Sequence, residues 1–555
     1  NSRLLIPPLE IETVSLTTAL AVGRSVAMRE ARRHASHLLT SVLACCLIFR
    51  AFNAVVVRTF FNADEFWQGP EIAHKIVYGY GHATWEWRAK LRGYAHPLIY
   101  ALVYKLGDAV GARSAWFVRH APRATHAALS GTHDVGCYRL ALRLHGDACA
   151  RAVIVLRFLN WFVFYCETRS FSNCVEACAT TWALTFWPLG TTLGTGAGGR
   201  RRRFKALVLA ALACVMRPTS GVLWLALGVR TLIKAKATIG EKARFAALEA
   251  APTALAALGA SACVDRYFYG EWTCVVCNFV RFNVFEGGSA IYGSHPWHWY
   301  LTQGYPAVMG TMLPLAAIGF WRHRATKPEA FIATFWTILG YSFAAHKEFR
   351  FLLPCLGVSL VSAASVLSSM TPSRRRFVVA ALVVTNVPAA LYLSVWHQAG
   401  TIAVMPHIAR LAKSGLITHG GVLFATPCHQ TPFYSHIHRE IRMTFLDCSP
   451  DRAPGEDDSA KFTADPHAWL EQKYGATPSA NDAHACAVAA ALAPSRLVLF
   501  DADALRASAW LASWNFTLEA DFHHAHVEVD RELQRRLLVY ARDADAATRR
   551  CEAQE

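Results

Sequence analysis

Residues 37–65 read HLLTSVLACCLIFRAFNAVVVRTFFNADE, a membrane-length apolar run over 37–58 that ends in an adjacent carboxylate pair, Asp64 and Glu65. A bilayer core offers backbone amides no water, so a crossing segment must be a helix of about 20 mostly apolar residues. Further runs of this kind fall at 148–166, 174–193, 246–264, 306–321, 329–345, 351–369 and 377–395. A weaker one at 121–144 is interrupted by His126, His133 and Asp134, and two short runs, 206–216 and 221–233, flank Arg217-Pro218-Thr219. That last element reads equally as a tight hairpin, two spans or one broken re-entrant piece. The first 35 residues carry no cleavable signal pattern, so the first span is expected to act as its own anchor.

The composition agrees with a polytopic α-helical membrane protein. Of 555 residues 54% are hydrophobic and 17% charged, against about 25% charged in soluble domains. The net charge of +17 would suggest nucleic acid in a soluble chain, but its clusters lie between the apolar runs. Arg24 to Arg33, Arg139 to Arg151, Arg200 to Lys205, Lys234 to Arg244, Arg322 to Lys327 and Arg374 to Arg376 all share one side if the N-terminus is cytoplasmic. The positive-inside rule therefore accounts for the charge, and no nucleic-acid partner is expected. The loops 62–96, 167–173, 265–305 and 346–350 and everything after 396 then share the other, lumenal side. Three parts are expected: a cytoplasmic segment 1–36, a transmembrane domain 37–395 with lumenal loops 60–96 and 265–305, and a lumenal C-terminal domain 396–555.

That last part has no membrane-length run. Strand-like stretches at Gly421–Thr426 and Arg496–Phe500 and a helical stretch near 529–542 suggest a small α/β domain. Cys428, Cys448, Cys486 and Cys551 fall in it, where an oxidising compartment permits disulfides, and Cys428–Cys448 is the preferred pair. Cys274 and Cys277 have zinc-ligand spacing, but no second cysteine pair follows, so no metal is expected. Asn515-Phe516-Thr517 is a glycosylation acceptor pattern.

Three constellations could carry chemistry. The loop 62–96, NADEFWQGPEIAHKIVYGYGHATWEWRAKLRGYAH, packs Asp64, Glu65, Trp85, Trp87, histidines, tyrosines and glycines more densely than a connector needs. Adjacent carboxylates point in different directions, so one should work and the other support. An interfacial carboxylate among aromatics is expected to have a raised pKa and to suit a general base, although a solvated loop charge or helix cap fits the same residues. The second is His346-Lys347-Glu348-Phe349-Arg350: three potential cations on the lumenal side ask for an anion, with phosphate the natural candidate. Alternatively Glu348 pairs with Lys347 or Arg350. The third is 278–306, where His295, Trp297, His298 and Trp299 could stack on and bond to sugars, or belong to an interfacial aromatic belt. Arg169, at a lumenal span end, and Arg217, at membrane depth, are possible supporting cations.

The strings DEFWQGPEIAH, YGYGHATWEW, YGSHPWHWYLTQGYP, HKEFRFLLP and PCHQTPFYSHIH resemble, in chain order from about 37 to at least 448, glycosyltransferase family 22, and within it the GPI mannosyltransferase 3 (PIG-B) type. The acidic loop and the HKE-x-RF-x-x-P element are shared across that family. The resemblance implies a GT-C glycosyltransferase fold and a dolichyl-phosphate-mannose-dependent α-1,2-mannosyltransferase that adds the third mannose to the lipid-linked GPI precursor in the endoplasmic reticulum lumen. Asp64 would be the base of an inverting reaction and Glu65 its support; His346, Lys347 and Arg350 would hold the donor phosphate, with no cofactor or metal. Trp85, Trp87, His295, Trp297, His298 and Trp299 would contact the acceptor, and Arg169, Arg217 and Glu348 would support. The chain departs from the pattern in Asn62-Ala63, where proline often precedes the acidic pair, and in an Ala- and His-rich stretch at 112–136. A sister family 22 enzyme, acting on dolichol-linked oligosaccharide or adding the fourth GPI mannose, is the nearest alternative. A polytopic transporter is more remote, because no repeat is visible and the acidic groups collect at one interface.

Overall fold

The computed structural model describes residues 38–189, 192, 193, 196–418, 420–450, 455–475, 492–528 and 534–542. The expected segment 1–36 and Cys486 and Cys551 lie outside the described residues. Four described helices are long and apolar enough to cross a membrane: Leu38–Val56, Ile239–Tyr269, Phe349–Ser368 and Pro372–Lys413. They differ in where they sit. The most apolar stretch of Phe349–Ser368 is 89% buried, and none of that in Ile239–Tyr269 is. The former is the centre of the bundle, surrounded by the helices Asp147–Leu159, Ser172–Phe186, Leu313–His323 and Glu329–Ser342. Small residues allow the close approach that lipid-free helix packing requires: a Cβ on Gly319 would collide with the Ser362 carbonyl.

The interrupted run at 121–144 is the middle of a 31-residue helix, Ala115–His145. Its polar residues are paired within the bundle. Asp134 accepts from Arg50 Nε at 2.7 Å and Nη2 at 2.8 Å and from Arg157 Nε at 2.7 Å. Arg157 reaches on to Glu167 at 2.7 Å, which accepts from Ser130 Oγ at 2.9 Å. These four charged side chains are essentially inaccessible. The element around Arg217 is two helices, Gly196–Met216 and Gly221–Lys234, parted because Pro218 opens a 3-10 turn and leaves Arg217 extended, at φ −147° and ψ 112°. The run 148–166 likewise divides at Asn160, whose side chain accepts the Val163 N–H and donates to the Val308 carbonyl at 3.0 Å.

Two expectations need correction. Residues 95–109, AHPLIYALVYKLGDA, form a helix absent from the expected spans, because its proline and charged end hide the apolar face. The stretch near 529–542 is not helical where described: Arg536–Arg542 is a strand, its β-branched and aromatic residues pairing with neighbours on both edges. That strand belongs to a five-stranded sheet in the C-terminal part: β1 (Val422–Ala425), β2 (Met443–Phe445), β3 (Arg496–Phe500), β4 (Phe516–His523) and β5 (Arg536–Arg542), in the order β2-β1-β3-β5-β4. β1 runs parallel to β2 and β3, and β5 antiparallel to β3 and β4. The helix Gly400–Lys413 buries Val404, Met405 and Ile408 against this sheet.

The sheet docks on the acidic loop. Phe60, Phe66 and Trp67 share one apolar cluster with Phe424 and Phe433. Buried Glu71 accepts the backbone N–H groups of Phe433, Tyr434 and Ser435 at 2.8, 3.0 and 3.1 Å. Burial pushes the Glu71 pKa up to about 7, although the Ser435 hydroxyl and these three amides all favour its ionised form. Trp67 Nε1 donates to the His429 carbonyl at 3.0 Å. Cys428 and Cys448 form the expected disulfide beside it.

Candidate active site

The one-turn helix Asp64–Trp67 sets the two carboxylates apart. Asn62 Oδ1 accepts the Asp64 N–H at 2.9 Å and fixes the turn. Glu65 points inward, fully buried, and accepts from Arg169 Nη1 at 2.8 Å and Arg123 Nη2 at 3.1 Å. Arg169 in turn holds the Thr59 carbonyl at 2.6 Å and lies over the Tyr165 ring. Glu65 and Arg169 therefore stiffen the loop. Asp64 faces the other way, keeps 22% of its side-chain surface, and accepts from Arg350 Nη2 at 2.6 Å.

Arg350 is shared. It donates from Nε to Glu348 Oε2 at 2.6 Å and from Nη2 to Oε1 at 2.7 Å, while Nη1, buried, has no hydrogen-bond partner among the described residues. Asn62 Nδ2 also donates to Glu348, at 3.2 Å. Residues 286 positions apart thus meet in one cluster, Asp64–Arg350–Glu348–Asn62. The expectation of a raised Asp64 pKa is corrected: burial does push it up, but the charges of Arg350 and Arg92 and the Arg350 hydrogen bond hold it below the ordinary carboxylate value. Burial acts the same way on Glu348, and Arg350 and His346 overcome it, holding that carboxyl well below its usual range.

The expected trio of cations is not free. His346 lies between the Gly293 carbonyl, 3.1 Å from Nδ1, and Glu348 Oε1, 2.9 Å from Nε2. Lys347 Nζ donates to the carbonyls of His295, at 3.0 Å, and Ala344. Lys347 thereby ties the 293–300 loop to the 344–350 loop. Trp299 is buried, with His295 stacked on it at 4.7 Å. Trp87 is buried too and donates to the Trp67 carbonyl at 3.2 Å. Trp85 stacks near Tyr292. Trp297 and His298 face outward. Cys274 and Cys277 are joined as a disulfide. Cys428, His429 and Cys448 bring potential metal-ligand atoms within 4.8 Å of one another, but both sulfurs are bonded to each other.

Beside this cluster opens a cavity of about 710 Å³. Its polar wall carries Gln68, Arg92, His96 and Arg217; its apolar wall carries Val215, Met216, Leu255, Leu258 and Ala262. Arg92 forms a fork with Glu86, at 3.1 and 2.6 Å, and Tyr292 donates to the same carboxylate. Arg217 lies over Phe351, the ring that Arg350 also faces, at 4.9 and 5.3 Å. Gln68, Glu71 and Glu86 lie within the quoted strings but are assigned no role there, and Arg92 and Arg123 lie outside those strings.

The helical bundle has the GT-C fold of polytopic membrane glycosyltransferases. ArnT of Cupriavidus metallidurans, in its crystal structure bound to undecaprenyl phosphate, superposes with a TM-score of 0.56 over 91% of this chain and 98% of its own, at 13% identity. The chain belongs to the Alg9-like mannosyltransferase family, whose sequence profile matches residues 41–438. Mannosyltransferase APTG1 of Arabidopsis thaliana is 36% identical, covering 89% of this chain and 91% of the relative. GPI alpha-1,2-mannosyltransferase 3 of Mus musculus is 34% identical over 88% and 86%, and that of Homo sapiens 33% over 91% and 88%. This chain is accordingly a membrane-embedded mannosyltransferase.

Proposed function

We propose that the chain transfers mannose from dolichyl phosphate mannose to the second mannose of the GPI precursor, in α-1,2 linkage, on the lumenal face of the endoplasmic reticulum. The observation that carries this reading is the partly exposed, ionised Asp64 held at 2.6 Å by Arg350. The names of the relatives support the acceptor and the linkage.

In this mechanism the acceptor 2-hydroxyl oxygen attacks the anomeric carbon of the β-linked donor as Asp64 takes the hydroxyl proton. The new C–O bond forms on the face opposite the breaking bond to phosphate, and the configuration inverts to α. The electron pair of the broken bond leaves with dolichyl phosphate, which departs without being protonated, so one base suffices where a glycosidase needs two carboxyls. The Arg350 charge keeps Asp64 in the form that accepts a proton. Glu348, Asn62, His346 and Lys347 hold Arg350 and its loop in place.

The test is analysis of GPI precursors in cells lacking the protein. A precursor with two mannoses should accumulate and disappear when the chain is restored. Accumulation of a three-mannose precursor, or of a shortened dolichol-linked oligosaccharide with normal GPI, would contradict the proposed acceptor.

A further inference from the structure

Four helices whose ends meet around the candidate site converge again at the other end of the bundle. Leu38–Val56 leads into the acidic loop, Ala115–His145 carries Arg123, which bonds Glu65, Ser172–Phe186 begins beside Arg217, and Gly196–Met216 runs up to Arg217. Far along the same helices, on the order of 20 Å away at about 1.5 Å of rise per residue, a second cavity of about 780 Å³ opens on the membrane face opposite Asp64. Arg139 and Arg143 line it from one helix and Arg201, Arg202 and Lys205 from another. Asp147, the carboxylate of the lining, is paired with Arg151, and among the described residues none of the five cations is ion-paired with a carboxylate. Arg143 and Arg202 donate to the Thr185 carbonyl at 2.8 and 3.1 Å, which orders them against the end of Ser172–Phe186 without neutralising their charge. The floor is apolar. Lys205 lies over the Phe186 ring at 5.4 Å and Arg139 over the Trp182 ring at 5.6 Å. Leu38 and Leu142, both 44% exposed, carry that floor out towards the lipid-facing side of the first span. The positive-inside rule asks for basic loops, not for five cations of two helices around one cavity. A phosphate diester on two acyl chains answers both parts of the lining, its oxygens accepting from the cations and its chains covering the leucines.

We propose that this cavity binds an anionic glycerophospholipid of the leaflet opposite Asp64, with its phosphate on Arg139, Arg201 and Lys205 and its acyl chains on Leu38 and Leu142. The lipid takes no part in the reaction. It ties the first span to Ala115–His145 and Gly196–Met216 where five like charges otherwise repel, so its effect is on stability. The inference stands apart from the proposed donor and acceptor, because the site lies at the other end of the helices.

The experiment uses the full-length protein purified in detergent, with its melting temperature read against added phosphatidylserine, phosphatidylcholine or water-soluble glycerophosphoserine. Phosphatidylserine should raise the melting temperature saturably, as a ligand of the folded state does, and the other two should leave it unchanged. The double variant Arg201→Gln, Lys205→Gln should need about tenfold more phosphatidylserine for the same rise, since two charge-assisted contacts are lost. Gly198→Glu is a second variant that leaves every cation in place. Gly198 lines the cavity, a Cβ there meets nothing within 4 Å, and a carboxylate in the first turn of Gly196–Met216 suits the helix dipole. It should melt as wild type does without lipid and lose the response to phosphatidylserine. Equal stabilisation by phosphatidylcholine or by the soluble headgroup, no stabilisation of wild type, or an undiminished response in both variants would overturn the proposal.

Discussion

Two ionic clusters in this protein are built from the same side chains and behave differently. Within the bundle, Arg50, Asp134, Arg157 and Glu167 form a chain in which both carboxylates are bonded and no surface remains. Next to the acidic loop, Asp64, Arg350 and Glu348 form a second cluster in which Asp64 keeps 22% exposure and Arg350 Nη1 has no hydrogen-bond partner among the described residues. The first has no bonding capacity left for a substrate and serves to join helices. The second keeps donor capacity on Arg350 and exposure on Asp64.

The sharpest break between them should come from the buried cluster. Asp134→Asn leaves two guanidiniums competing for one neutral amide, and losing one partner of a buried pair costs about 3–5 kcal/mol. The variant should fail to yield a monodisperse protein in size-exclusion chromatography; normal yield and stability would show that the cluster is not structural. Arg350→Gln should fold but lose about 10²-fold in transfer rate. It should also move the pH profile. The Asp64 pKa is depressed, so the wild-type activity it supports is present above that pKa and lost only as pH falls through it, below the ordinary carboxylate value of about 3.9. Without Arg350, burial raises the pKa and the acid limb should shift upward; a profile that keeps its wild-type acid limb would refute the assigned coupling.

Smaller effects should separate positioning from chemistry. Cys428→Ser opens a disulfide that closes 20 residues, worth about 3 kcal/mol by loop entropy. The expected result is a lower melting temperature with the donor KM unchanged. Lys347→Gln, which removes the tie to two carbonyls, should lower activity less than about tenfold. A loss equal to that of Arg350→Gln would return Lys347 to the phosphate.

The comparison also explains what the sequence could reveal. Apolar runs near 20 residues, the basic clusters and the family motifs were enough for a helical GT-C protein and for a link between the Asp64 loop and the 346–350 segment. The helix Ala115–His145 was harder to read because its partners, Arg50 and Arg157, lie on other helices, and pairing across a bundle leaves no periodic trace. The Asp64 pKa was misjudged for the same reason: burial follows from local composition, whereas the opposing charge of Arg350 comes from 286 residues away. Arg92 and Gln68 sat in plain view in the quoted loop, yet their significance is set by the cavity wall opposite, which only the fold supplies. The strand at 536–542 read as helix because its apolar spacing suits either period, and its pairing with β3 and β4 decides.

The most direct test is the rate of mannosyl transfer by purified Asp64→Asn, normalised to monodisperse protein and measured with saturating donor and acceptor. The account predicts a fall of about 10²–10⁴-fold, with wild-type melting behaviour and retained binding of dolichyl phosphate. A rate within about threefold of wild type would contradict it, and the exposed half of the Asp64–Arg350 pair would then be a structural feature like its buried counterpart.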